Sequence, residues 1–125
     1  MPFEKEEILA EDKLLRRVQF MHPDFIKDDG TPSSSSFQLK KNPDGTKEDG
    51  LSVDLERLIS YDVAIGDITR FRLYALIAND LKNLGLSCEH DPQLHNFAHS
   101  LIKGNISKPI SRKLASLAVR IRYPD

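Results

Sequence analysis

The chain has 125 residues, 39% hydrophobic and 30% charged, with a formal net charge of −1 and no tryptophan. A chain of that length makes one domain and buries roughly two-thirds of its unfolded surface, so a core can hold it without crosslinks. The near-zero charge argues against a general polyanion binder, the lone cysteine (Cys88) excludes an intrachain disulfide, and the apolar run Tyr74–Ala78 is far too short to span a bilayer.

The first residues, MPFEKEEILAEDK, are acidic and carry no long apolar run, so they do not read as a signal peptide, and the protein reads as cytoplasmic. Charge is uneven along the chain. Residues 1–12 hold five acidic side chains against one basic, and residues 103–125 hold six basic against one acidic. Residues 4–11 read as a short helical turn within a loosely attached end. Leu14–Phe20, LLRRVQF, reads as a first strand, and His22-Pro23 ends it because the residue before proline is pushed away from the helical region.

Asp28–Ser36, DDGTPSSSS, is rich in turn formers, and its serines compete with any helix. Phe37-Gln38-Leu39 reads as a strand, with the serines before it able to offer hydroxyls to a ligand. Lys40–Gly50 is the clearest loop, a mobile tip around Pro43-Asp44-Gly45. Leu51–Val53 starts as a strand and the pattern of Leu55, Leu58 and Ile59 turns it into a short helix over 54–60. Asp62–Asp67 reads as a connector.

Residues 69–77 read as a strand followed by a helical turn over Asn79–Leu84, with one helix over 69–84 as the alternative. Leu86–His90 and His99–Ile102 read as short strands. The most secure helix is the last, over about 108–121, with Ser107 as its cap and Pro109 in its first turn. The fold class is therefore α+β: a single small domain, mostly antiparallel sheet, with the C-terminal helix packed on it. Core candidates are Leu15, Val18, Phe37, Val53, Leu58, Phe71, Leu73, Leu76, Leu81, Leu86, Phe97, Leu101, Leu114, Leu117 and Val119.

Groups able to do chemistry near neutral pH concentrate in Leu86–Ile102, which holds Cys88, His90, His95 and His99. Thiolate and imidazole suit Zn, so these four form a candidate metal set. The second half of a paired-cysteine pattern is missing, and Pro92 interrupts the spacing. No G-x-S-x-G occurs, which argues against a nucleophile-elbow hydrolase. The leading reading, with the metal set as an alternative, is a non-catalytic one: a small cytoplasmic interaction or ligand-binding protein centred on Gly30–Phe37 and Asp91–His99. It would meet a protein partner or a second copy through the acidic start, the 40–50 loop or the basic final helix. Nucleic acid is disfavoured, because the late cations spread around more than one helix face and aromatics are few.

Two resemblances add to this. Arg16-Arg17-Val18, Gly30-x-Pro32-Ser33-Ser34-x-x-Phe37, Leu51-Ser52-Val53-Asp54, Gly85-Leu86, Asp91-Pro92 and Asn96-x-Ala98-His99 follow one another over about residues 14–118. The succession resembles that of small bacterial proteins to which no activity is attached, and implies a free-standing bacterial domain in which His99 and Gly30–Phe37 outweigh His90 and His95. Secondly, an arginine on the first strand (Arg16 or Arg17), a serine segment (Ser33–Ser36) and a later acidic or imidazole group are similar to the order in ADP-ribosyl-transferring folds. That likeness implies an enzyme acting on ADP-ribose or a nucleotide, with Arg17, Ser34, Ser52 and His99 as the site: arginine forks onto pyrophosphate, hydroxyls hold ribose, and the imidazole meets a developing cation.

Overall fold

A six-stranded antiparallel sheet forms the middle of the molecule, in a computed structural model that describes residues 4–20 and 24–123. The strands are β1 (Lys13–Gln19), β2 (Leu51–Leu55), β3 (Phe71–Ile77), β4 (Ser87–His90), β5 (His99–Lys103) and β6 (Val119–Arg120). Their spatial order is β4-β5-β2-β1-β3-β6. Three α-helices, α1 (Tyr61–Ile65), α2 (Ala78–Asn83) and α3 (Lys108–Leu117), and two 3-10 turns, Ser34–Phe37 and Glu56–Leu58, cover it. The α+β reading is thus correct.

The sheet carries a core on each face, which is why β3 is apolar in a run rather than in alternation. One face carries Leu14, Leu51, Val53, Leu55, Leu76 and Ile102, packed with Phe37, Leu81, Leu86 and Leu114. The other carries Leu15, Leu73 and Ala75 under Ala64 and Ile65 of α1. Strand β3 is buried from Leu73 to Leu76 because it feeds both cores, so the strand-then-turn reading of 69–84 prevails over one helix. Gly85, at φ +80°, ends α2.

Helix α3 is capped as expected, with Ser107 Oγ accepting from the Ile110 N–H at 3.5 Å. It presses on the Ser34–Phe37 turn, where Ser111 Oγ donates to the Phe37 carbonyl at 3.0 Å. It stops at Leu117, short of the predicted 121, because Val119 and Arg120 turn to pair with Ala75 and Tyr74 on the free edge of β3. Leu117 and Val119 are therefore exposed rather than core, as is Phe97.

Three other expectations fail. Phe37 is buried in a 3-10 turn and not in a strand. No helix spans 54–60: the alternation of Leu51, Val53 and Leu55 against the core carries β2 through Leu55, and the helix follows at Tyr61–Ile65, where only a connector was read. Residues 4–9 are not helical. They lie against the body of the domain, with the Glu6 N–H donating to His90 Nδ1 at 2.7 Å. Arg57 holds the same segment through Glu6, the Glu7 carbonyl and Asp12. The 40–50 loop is a hairpin-like excursion: Lys41 pairs with Lys47, and Asp44 caps its own turn through Thr46. Among the described residues no helix is long and apolar enough to cross a membrane.

The feature that positions a site is a break in the sheet. β1 pairs with β3 along its whole length, from Lys13↔Ile77 to Gln19↔Phe71. It pairs with β2 only at Leu14↔Leu55 and Leu15↔Asp54. Beyond Leu15 the two strands part, while β2 stays joined to β5 from Leu51↔Ile102 to Asp54↔His99.

Candidate active site

The parting of β1 and β2 opens a groove of about 760 Å³, within the size range of sites for small ligands. β1 contributes Arg16 and Arg17, β2 contributes Ser52 and Asp54, and β5 with the loop before it contributes His99, Asn96 and His95. Ser35, Ser36, Lys40 and Glu48 close one side, and Phe25, Ile59, Val63 and Phe71 supply apolar surface. The mixture of apolar wall and a few convergent polar groups is what ligand sites share.

The two arginines do different things. Arg16 reaches into the gap and ties its walls together. Its Nε donates to the Ser36 carbonyl at 3.0 Å and its Nη1 to the Ser52 carbonyl at 2.8 Å. Burial pulls its pKa below the ordinary value, against the opposing field of Glu48, with Arg17 adding to the decrease. Arg17 lies on the opposite face of β1, with its guanidinium 4.5 Å from the centre of the Phe71 ring. Room for it comes from Gly66, at φ +73°, where an added Cβ would sit 2.9 Å from Arg17 Nη1. Neither arginine is ion-paired to a carboxylate among the described residues.

Strand register brings the imidazole to the serine. Asp54 sits opposite His99, so side chains at 52, 54 and 99 share a face. His99 Nε2 lies 3.3 Å from Ser52 Oγ. On its other side, Nδ1 lies 3.1 Å from both the Asp91 carboxylate and the Asp91 carbonyl. Both partners of Nδ1 accept only, so Nδ1 carries the proton and Nε2 presents a lone pair to the serine hydroxyl. Asn96 steadies the 91–98 loop by donating to Asp54 at 2.8 Å and accepting from the Ala98 N–H at 3.2 Å.

Of the four residues expected under the nucleotide reading, Arg17, Ser52 and His99 line the groove and Ser34 does not. Its neighbours Ser33 and Ser35 both donate to the Asp24 carbonyl, and Ser36 donates to the Phe25 carbonyl. These hydroxyls fasten a loop. The metal set is divided by the sheet: Cys88 and His90 pair with Ile102 and Ser100 on one face, and His99 faces the groove on the other. His90 is buried between two main-chain groups, accepting from Glu6 and hydrogen-bonded to the Phe97 carbonyl at 2.6 Å. Residues 95–99 are not helical, so His95 and His99 are not one helical turn apart. Burial pushes the Cys88 thiol up to about 11, the reverse of a ready ligand or nucleophile. Among the described residues no group of three or more His, Cys, Asp or Glu is placed to hold a metal ion.

Asp91 is the residue that sequence reasoning missed as a site member. It entered the sequence reading only through Asp91-Pro92 and as the start of the Asp91–His99 stretch, and nothing in the one-dimensional text joins it to Ser52. Comparison with protein-family models, with curated proteins and with solved structures finds no match to this chain.

Proposed function

We propose that the groove is the active site of an enzyme acting on a compound of ribose and phosphate, of the ADP-ribose or nucleotide class. The observation that supports this is the convergence, across the parting of β1 and β2, of Arg17, Ser52 and His99 from three strands distant in sequence. Arginine presents a planar fork suited to phosphate oxygens, and among the described residues no carboxylate is ion-paired to Arg17. Ile59 and Val63 offer apolar surface for a base or sugar face. Ser52 and His99 sit where the reacting bond would lie.

The test is titration of the full chain with ADP-ribose, NAD and AMP, followed by calorimetry and by amide resonances. Saturable binding that shifts residues 16–17, 52–54 and 96–99 is expected. A charge-assisted bond to phosphate is worth about 1.5–3 kcal/mol, so Arg17→Ala should weaken binding by roughly 10- to 150-fold. Absence of any shift at those residues with all three compounds would refute the reading.

Exposed apolar side chains favour a second reading, a domain that meets a protein partner or a second copy. Leu94 is 79% exposed and Phe97 41%, both in the loop before β5 that also carries His95 and Asn96. Sedimentation of the full chain with and without Leu94→Ser separates the two.

A further inference from the structure

We propose that Ser52 is a nucleophile, activated by His99 with Asp91 as its positioning residue, and that it attacks the phosphorus of a phosphate ester. The choice of electrophile rests on the nucleotide-class reading of the groove; the activation of Ser52 stands on its own geometry. Asp91 occupies His99 Nδ1 twice, through carboxylate and carbonyl, each at 3.1 Å. That fixes the tautomer and aims Nε2 at Ser52 Oγ, 3.3 Å away. Hydrogen bonds of this kind are commonly long before substrate enters and shorten around it. The His99 side chain is only 13% exposed, while Ser52 opens to the groove.

The supporting main chain is also set. Arg16 Nη1 holds the carbonyl of Ser52 itself at 2.8 Å, and β2 is locked to β5 on its other side by the Ser52↔Leu101 pairing. Arg17, on the same face, is placed to balance charge on non-bridging oxygens. In the first step the Ser52 Oγ–P bond forms and the P–O bond to the leaving group breaks. The serine proton passes to His99 Nε2, and the departing alkoxide takes a proton from solvent. In the second step water attacks the seryl phosphoester and gives its proton to solvent. The Oγ–P bond breaks and His99 returns its proton to Ser52.

The experiment uses the full folded chain and an alkyl fluorophosphonate, whose P–F bond breaks as Ser52 Oγ–P forms. Mass spectrometry should find one adduct, on the peptide holding Ser52, and none in Ser52→Ala. General-base assistance is worth about 10²- to 10⁴-fold, so His99→Ala should slow labelling at least a hundredfold. Added imidazole should restore part of the rate in that variant, which a folding defect would not allow. Asp91→Asn should slow labelling about tenfold or more, with recovery in Asp91→Glu. Turnover of bis(p-nitrophenyl) phosphate should be lost in Ser52→Ala. No adduct on folded protein, or a rate unchanged by His99→Ala, overturns the proposal even if nucleotides bind. A Ser52 adduct in a protein that binds no nucleotide upholds the nucleophile and overturns the phosphate-ester assignment.

Discussion

Arg16 is the side chain whose loss tests the parted sheet most directly. Arg16→Met keeps the aliphatic stem and removes both donors to the Ser36 and Ser52 carbonyls. A hydrogen bond from a charged donor contributes about 1.5–3 kcal/mol, and the Ser52 carbonyl, being near solvent, regains part of its loss from water. Relief from keeping a cation in a partly buried gap returns a further share. About 2–4 kcal/mol of destabilisation remains. A domain of this length loses roughly 10 °C of melting temperature for about 3 kcal/mol. Arg16→Lys should recover less than half, since one ammonium cannot reproduce a fork onto two carbonyls set by different elements. The assay is urea unfolding followed by circular dichroism, with amide shifts at residues 34–37 and 52–53 as a local reading. A Met variant within 0.5 kcal/mol of the parent, a limit taken from ordinary surface substitutions, would refute the idea that Arg16 fastens the 3-10 turn to β2.

Other expectations follow from packing and charge. Gly50→Ala would put a Cβ 2.7 Å from the Ile102 carbonyl, so unfolding experiments should show a loss of about 1–3 kcal/mol. Leu114→Ala empties a fully buried position under α3 and should cost about 2–5 kcal/mol by the same method. Cys88, with its thiol pushed up to about 11 by burial, should react slowly with a thiol reagent at neutral pH in the folded chain and fully in urea. The Glu89 carboxyl is held down to about 2, first by its bond from Lys5 and then by Lys103. Its folded value lies below its unfolded one. Its contribution is therefore complete above the ordinary carboxylate range and fades as pH falls toward 2. Carbon-detected titration of Glu89 should place its midpoint near 2, and Lys103→Met should move that midpoint upward.

The candidate site was only partly readable in one dimension. Arg17, Ser52 and His99 were named because their residue types suit the chemistry, and all three reach the groove. Ser34 was named for the same reason and does not, since a serine run says nothing about which hydroxyls fasten a loop. Cys88 and His90 looked like companions of His99 because they are close in sequence. A strand alternates its faces, and a turn at Asp91–Ala98 then sets β4 beside β5, so closeness along the chain became separation across the sheet.

By itself the sequence determined what depends on short range. The strand character of Leu14–Phe20, the serine cap and early proline of α3, and the glycine that ends α2 are local stereochemistry, and each is found in the structure. It also determined that both faces of β3 must be covered, because an unbroken apolar run cannot face water. Only the tertiary structure decided which strands pair and where they part. That choice is a sum of many contacts over both cores, and no window of ten residues contains it. The break after Leu15 brings Arg16 to Ser52 and Arg17 to the same groove, and the pairing of Asp54 with His99 sets His99, held by Asp91, beside Ser52. The make-up of this groove is thus a property of strand register, which the residues specify together and none of them specifies alone.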